Sequence, residues 1–548
     1  MRKTIHFLVL SMIFILISSS CGSDNPESKG DSFPDVPESY ILSPDTKPAT
    51  SLAGRGTHES PYLIRNAMDF KYFIDNISDG SLKPIDKDDI YSGMLYVSLR
   101  HDIEISDKYM WIPINVPTST YLNLNGENHT ISGTMYMTKT CIINDTSLAG
   151  LFGRAESMDL ANINISANLI YKVLSPTHRH FFAGIVAAHT ISSYITNVSV
   201  TGKMTIEETY GFLVTGLGGI SGYAVNPTYV GCKTHGSIEL VGYPGKKRFS
   251  MGKSLYLGGL TGYSIDQAYC EGYTNCSNYS EIKLENLSVS EIAVGGLIGY
   301  RNSPDILPDG FKLNENHGNI IINDISWHST QDSDARAIYA GGFYGWGAER
   351  GSAEKSWNYG DITVSNVAMP AYVGGLGGLM AWGDTAYGNN SGNITNNAKS
   401  GYTGGCYGKM TSDDVESLGN SGNVTSTITI NVDEVEGWDD FFGATGGIAG
   451  TLVGRIKNSV NSGNITTPPP FIYMYCETSY GGAITGRGTQ SSGLVNCVNH
   501  GSVNGSKPDS FGIEDGFKWL ALQEIESGKM DKDSPGWQWW RWYIYDIN

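Results

Sequence analysis

The feature that most constrains this chain is a glycine unit, G-G-[apolar]-x-G, that returns seven times between Gly218 and Gly450. It reads Gly218-Gly219-Ile220-Ser221-Gly222, and later copies start at Gly258, Gly295, Gly341, Gly374, Gly404 and Gly446. Degenerate copies start at Ala149, Ala183 and Gly482. A second element, N-x-[G/S]-x-[I/V], alternates with the first and starts at Asn278, Asn316, Asn358, Asn390, Asn420, Asn461 and Asn499, with Thr234 in place of Asn in the earliest copy. The second glycines of successive pairs stand 30 to 46 residues apart. A fixed local pattern with variable spacers is how a solenoid reads in sequence. One repeat is therefore expected to make one coil, and the fold class to be an all-β, single-stranded right-handed β-helix.

Each coil is expected to hold three short strands: one through the glycine element, one leading into the Asn, and one after it through the Ile or Val. Length variation should fall in a single loop before the next glycine pair. In such a strand the apolar residue and the last glycine share a face, so bulk and space alternate in a narrow bore. Asn tolerates left-handed backbone at a corner, and its amide can donate to and accept from the same amide one coil away. Thr234, Asn278, Asn316, Asn358, Asn390, Asn420, Asn461 and Asn499 should thus form a structural ladder. Cys232, Cys276 and Cys497, two residues before it, suit small buried fillers. A solenoid needs covered ends. A strand from Pro61 to Ile64 and a helix from Asn66 to Ile77 suit the N-terminal cap; a helix from Phe517 to Ser527 and an aromatic strand from Trp537 to Tyr545 suit the C-terminal one.

The chain opens with Arg2 and Lys3, an apolar run from Phe7 to Ile17, and Ser18-Ser19-Ser20-Cys21. That order reads as a signal peptide over 1–20, with Cys21 as a lipidated anchor to the membrane. Residues 21–48, rich in Ser, Asp and Pro, should be a flexible tether. The cap and opening coils then occupy 49–148, the repeats 149–505 and the C-terminal cap 506–548. Net charge is −18, which argues against nucleic acid as a partner. Seven cysteines remain after Cys21, an odd number without C-x-x-C spacing, so a disulfide framework is not expected.

The glycine element resembles the GLUG motif repeat of bacterial surface and secreted proteins. Gly54-Arg55-Gly56-Thr57 with Pro61-Tyr62-Leu63-Ile64, Asp69 and the run Leu124 to Gly133 is similar to the module that opens such regions in surface lipoproteins of the Bacteroides group. The resemblance implies an outer-membrane, cell-surface protein, and it says little about the ligand.

For function, two readings stand. The first is a non-catalytic adhesin or binder of a glycan or host surface protein. The second is a polysaccharide lyase or glycoside hydrolase, which needs paired carboxylates converging in a groove. The aromatic run Trp519, Trp537, Trp539, Trp540, Trp542, Tyr543 and Tyr545 suits either a sugar platform or the end cap. Asp433, Glu434, Glu436, Asp439 and Asp440 offer carboxylates for Ca²⁺, or form a solvated acidic loop. No other cofactor is indicated. His178 and His180 share a strand face, but no third metal ligand can be named. The zinc peptidase signature H-E-x-x-H is absent.

Overall fold

A computed structural model describes residues 40–514, apart from 86–92, 139–140, 173–178, 208–211, 243–248, 251–252, 267–271, 304–310, 328–336, 350–352, 382–385, 429–442, 469–471, 474–475, 478, 489–492 and 506–510. Among these residues the chain is a parallel β-helix. Three sheets of 26, 11 and 12 strands run along it, here called the long sheet and the first and second short sheets. Each coil adds a strand to the first short sheet, turns at the glycine pair, adds a strand to the second, and crosses to the long sheet. One coil runs Ser254–Gly258, Thr261–Ile265, Gly272–Thr274, Ser277–Asn278 and Glu281–Val289.

The glycine element is thus a corner and not a strand. Gly258 ends one strand and Thr261 begins the next, with Leu260 fully buried between them. The reason lies across the bore: a Cβ on Gly259 would stand 2.2 Å from Cγ of Asn278, and one on Gly296 equally close to Asn316. The second glycine of each pair rests on the ladder amide, which is why the two elements recur together.

The ladder residues lie in register, Thr234 on Asn278, then Asn316, Asn358, Asn390, Asn420, Asn461 and Asn499. Each Nδ2 donates to the Oδ1 of the next at 2.7–2.8 Å, from Asn278 to Asn499. Thr234 Oγ1 donates to Asn278 Oδ1 at 2.8 Å. None of these asparagines adopts left-handed backbone. That conformation falls three residues earlier, at Gly231, Asn275, Leu313, Lys355, Ser417, Asn458 and Asn496, because the chain bends before it lines up the ladder. Just beyond the ladder, Ile282, Ile320, Ile362, Ile394, Val424 and Ile465 stack in register and are buried. Each contributes about 1.5–3 kcal/mol by leaving water. Cys232 and Cys276 are buried and Cys497 is half-buried, all three as free thiols.

Spacing varies at two points per coil, not one. The step from the second short sheet to the long sheet runs from Ile265 to Gly272 in one coil and Ser303 to Phe311 in the next. The step back to the first short sheet runs from Val289 to Glu291, then from Trp327 to Ile338.

At the N-terminal end, strand Tyr62–Ile64 leads into helix α1, Ala67–Ser78, the one helix among the described residues. Asn66 caps it, its side chain accepting from the backbone N–H of Met68 and Asp69. Phe70, Phe73 and Ile77 enter the core, where Phe70 stacks on Trp111 at 6.4 Å. The signal peptide expected from sequence lies outside the described residues, as do residues 21–39 of the tether and most of the C-terminal cap. The end of the tether is already part of the fold, since Ile41–Leu42 is a strand that pairs in parallel with Glu104 and Ile105 and buries Leu42, and in the cap Phe511–Glu514 adds a last strand to the second short sheet.

Candidate functional site

At the glycine corner the two short sheets fold against one another. The last glycine of the element permits it: a Cβ on Gly262 would stand 2.3 Å from the backbone nitrogen of Leu217 in the preceding coil. The fold is sharp enough that side chains on the outer faces of two different sheets touch, so these faces meet in a narrow cleft that the rings themselves largely fill, with Phe182, Tyr256, Tyr372 and Tyr402 buried.

Its lining is aromatic. The first short sheet contributes Phe182, Tyr256, Tyr339, Tyr372 and Tyr402, and the second His189, Tyr223, Tyr263, Tyr300 and Trp346. Rings meet across the cleft, Phe182 with Tyr223 at 4.9 Å, Tyr256 with Tyr300 at 5.0 Å and Tyr339 with Trp346 at 5.6 Å. They also meet along it: Tyr223 with Tyr263 at 4.9 Å, Tyr263 with Tyr300 at 5.1 Å, Tyr300 edge-on to Trp346 at 4.6 Å, and Tyr339 to Tyr372 to Tyr402 at 5.2 and 5.4 Å. The contacts run unbroken from Phe182 to Tyr402.

Polar groups punctuate this surface. Glu291, 7% exposed, accepts a hydrogen bond from Tyr256 at 3.0 Å. Burial pushes its carboxyl up, against the lowering effect of that bond. Burial and then the Tyr263 hydroxyl and Glu291 raise Tyr300 to about 12. His189 is pushed down to about 4 by burial and by Arg154, so its ring is neutral at pH 7. His189 Nε2 and Trp346 Nε1 are buried without a hydrogen-bond partner, a state that costs about 1–3 kcal/mol per group. Toward the C-terminal end, Lys409 Nζ lies 5.7 Å from the centre of the Tyr372 ring, and Arg487 Nη1 donates to the Tyr402 hydroxyl at 3.3 Å.

Another ring column, His235, Tyr279, His317 and Tyr359, stacks at 4.6 Å outside the long sheet. There, as at Tyr223 and Tyr263 or Tyr339 and Tyr372 in the cleft, ring faces lie against one another.

Cys21, the carboxylates Asp433, Glu434, Glu436, Asp439 and Asp440, and the aromatics Trp519, Trp537, Trp539, Trp540, Trp542, Tyr543 and Tyr545 all lie outside the described residues, as does His178. His180 packs on Phe182 at the N-terminal end of the cleft, and Arg179 pairs with Asp145 at 3.6 Å. Among the described residues no three of His, Cys, Asp or Glu gather as a metal site.

The cleft residues carry a sequence signal outside the glycine and asparagine motifs. Phe182, Tyr256, Tyr339, Tyr372 and Tyr402 each stand two residues before the first glycine of an element or of its degenerate copy. Tyr223, Tyr263, Tyr300 and Trp346 each follow the last glycine of an element directly. Compared with known proteins, the chain matches no family model, no characterised sequence and no solved structure.

Proposed function

We propose that this is a lipid-anchored, surface-displayed binding protein of the GLUG-repeat kind that holds a glycan in the cleft between the short sheets, without chemistry on it. The observation that carries this reading is the unbroken aromatic lining from Phe182 to Tyr402. Sugar rings offer apolar faces to stack on such rings. In this reading Cys21 carries the acyl chains and the segment from it to the first strand, Ile41–Leu42, lifts the β-helix from the outer membrane.

Glycan-array screening of the purified chain, followed by isothermal titration of the hits, tests the cleft. Trp346→Ala should weaken a true ligand by about tenfold, and unchanged affinity would remove the cleft from consideration. Cys21→Ala should release the chain from the membrane fraction, and protease treatment of intact cells should digest the wild type.

A second reading, glycoside hydrolysis, draws on Glu291, since burial pushes its carboxyl up, the direction a general acid requires. It needs a second carboxylate about 5–10 Å away, which the lining described above does not include. Release of reducing ends from array hits would favour hydrolysis over binding.

A further inference from the structure

The ring column outside the long sheet stops partway along it, and we propose that its open end is a binding site for a neutral hexopyranose unit of a glycan. The site shares the ligand class proposed above and none of its residues. His235, Tyr279, His317 and Tyr359 each follow a ladder residue directly, and the next three such places hold Ser391, Ser421 and Ser462. Tyr359 therefore ends the column. One face of its ring lies on His317 at 4.6 Å, with 15° between the planes; among the described residues no ring covers the other face. That face looks along the axis over Ser391, whose backbone N–H donates to the Asn358 carbonyl one coil back. Tyr359 is 44% exposed and Ser391 is exposed as well. Each absent ring leaves about 4.7–4.9 Å of height, one strand spacing. A pyranose laid on Tyr359 would take the place of the next ring, its C–H face against the phenol.

The polar groups beside that place are already fixed, and each keeps bonding capacity to spare. Asp361 Oδ1 accepts from the backbone nitrogen of Asn393 at 2.7 Å and from its Nδ2 at 3.1 Å. The backbone N–H of Asp361 donates in turn to Asn319 Oδ1 at 2.9 Å. Among the described residues, Asp361 Oδ2 and the second proton of Asn393 Nδ2 have no protein partner. Ser421 Oγ donates to Ser391 Oγ at 3.2 Å, which leaves Ser391 its own proton to give. A sugar stacked on Tyr359 thus meets a carboxylate oxygen that can accept from one hydroxyl, and an amide and a serine that can donate to its neighbours. Because these groups are held before a ligand arrives, little freedom is lost on binding. The Asp361 carboxylate and the net charge of −18 both favour a neutral sugar over an acidic one.

Saturation-transfer NMR of the full chain with the methyl glycosides of galactose, glucose and mannose tests this. Trp346→Ala serves as the background, so that the cleft proposed above is out of play. At least one of the three sugars should take up saturation, and Tyr359→Ala and Asp361→Asn should each weaken its binding about tenfold. Ser391→Tyr supplies the ring that the column lacks. It should abolish the signal by filling the place of the sugar, with an undiminished melting temperature as the check on folding. No transfer to any of the three sugars, or transfer that survives Ser391→Tyr, would overturn the site. The two readings fail separately: a signal present in the wild type and absent from Trp346→Ala belongs to the cleft and counts against Tyr359, whereas one that withstands Trp346→Ala and is lost with Ser391→Tyr belongs to the column end.

Discussion

Asn358 makes three hydrogen bonds: its Oδ1 accepts from Asn316 at 2.7 Å, and its Nδ2 donates to Asn390 Oδ1 at 2.7 Å and to the Gly360 carbonyl at 2.9 Å. Asn358→Ala would strand all three partners in a buried bore, at about 1–3 kcal/mol each. The variant should lose about 3 kcal/mol or more in urea unfolding, and a loss below about 1 kcal/mol would contradict a tightly paired ladder. Leu313 presents the reverse case. It holds φ at 56° while 47% exposed, where Asn275 and Asn458 serve in other coils. Leu313→Asn should raise stability by about 0.5–1 kcal/mol, because Asn tolerates that backbone and the half-exposed Leu side chain has little burial to lose. Two cleft residues link stability to pH in opposite directions. Native His189 stays neutral down to about 4 while the unfolded chain takes up a proton near 6.5, so its contribution is lost as pH falls between those values. Native Glu291 keeps its proton above the ordinary 4.5, so stability falls as pH rises through its raised value. His189→Phe should remove the first slope and Glu291→Gln the second, as read from melting temperatures across pH 4 to 8.

At the scale of elements, the corners matter more than the strands. Gly259→Ala would drive a methyl into Asn278, and an overpacked site of this kind costs about 1–3 kcal/mol. The same substitution at exposed Gly93, where an added Cβ meets nothing within 4 Å, should be milder even with φ at 105°; comparing the two melts separates crowding from backbone strain. Asn66→Ala should cost about 1 kcal/mol through the lost cap of α1. Periodicity in sequence made the coils, the ladder and the capping helix legible, because Gly, Asn and Ile recur wherever backbone meets backbone or an amide meets its copy. The glycine element still misled as a strand, since alternation of bulk is expected from a strand and from a tight inside corner alike. The cleft was hidden for another reason. Its positions hold Tyr in one coil and Gly216, Ala293 or Ala444 in another, so they fail any test of identity between repeats. Their concavity comes from the angle between sheets, which no local spacing encodes.

For the whole molecule, each coil touches mainly its neighbours, so removing one should leave two surfaces that fit. Deleting residues 342–374 joins Gly341 to Gly375, whose first-sheet strands already pair in register, and sets Asn316 against Asn390. The shortened chain should fold with an undiminished β signal per residue in circular dichroism and melt cooperatively, and an insoluble product would argue against nearest-neighbour stacking. The ladder has a polarity that no single coil possesses. Every amide from Asn278 to Asn499 donates toward the C-terminal side and accepts from the other. Their dipoles therefore add head to tail and polarise one another, much as peptide units do along an α-helix. The stack behaves as a buried wire with its electropositive pole toward Asn499, the same end at which Lys409 and Arg487 face the solvent side of the sheets.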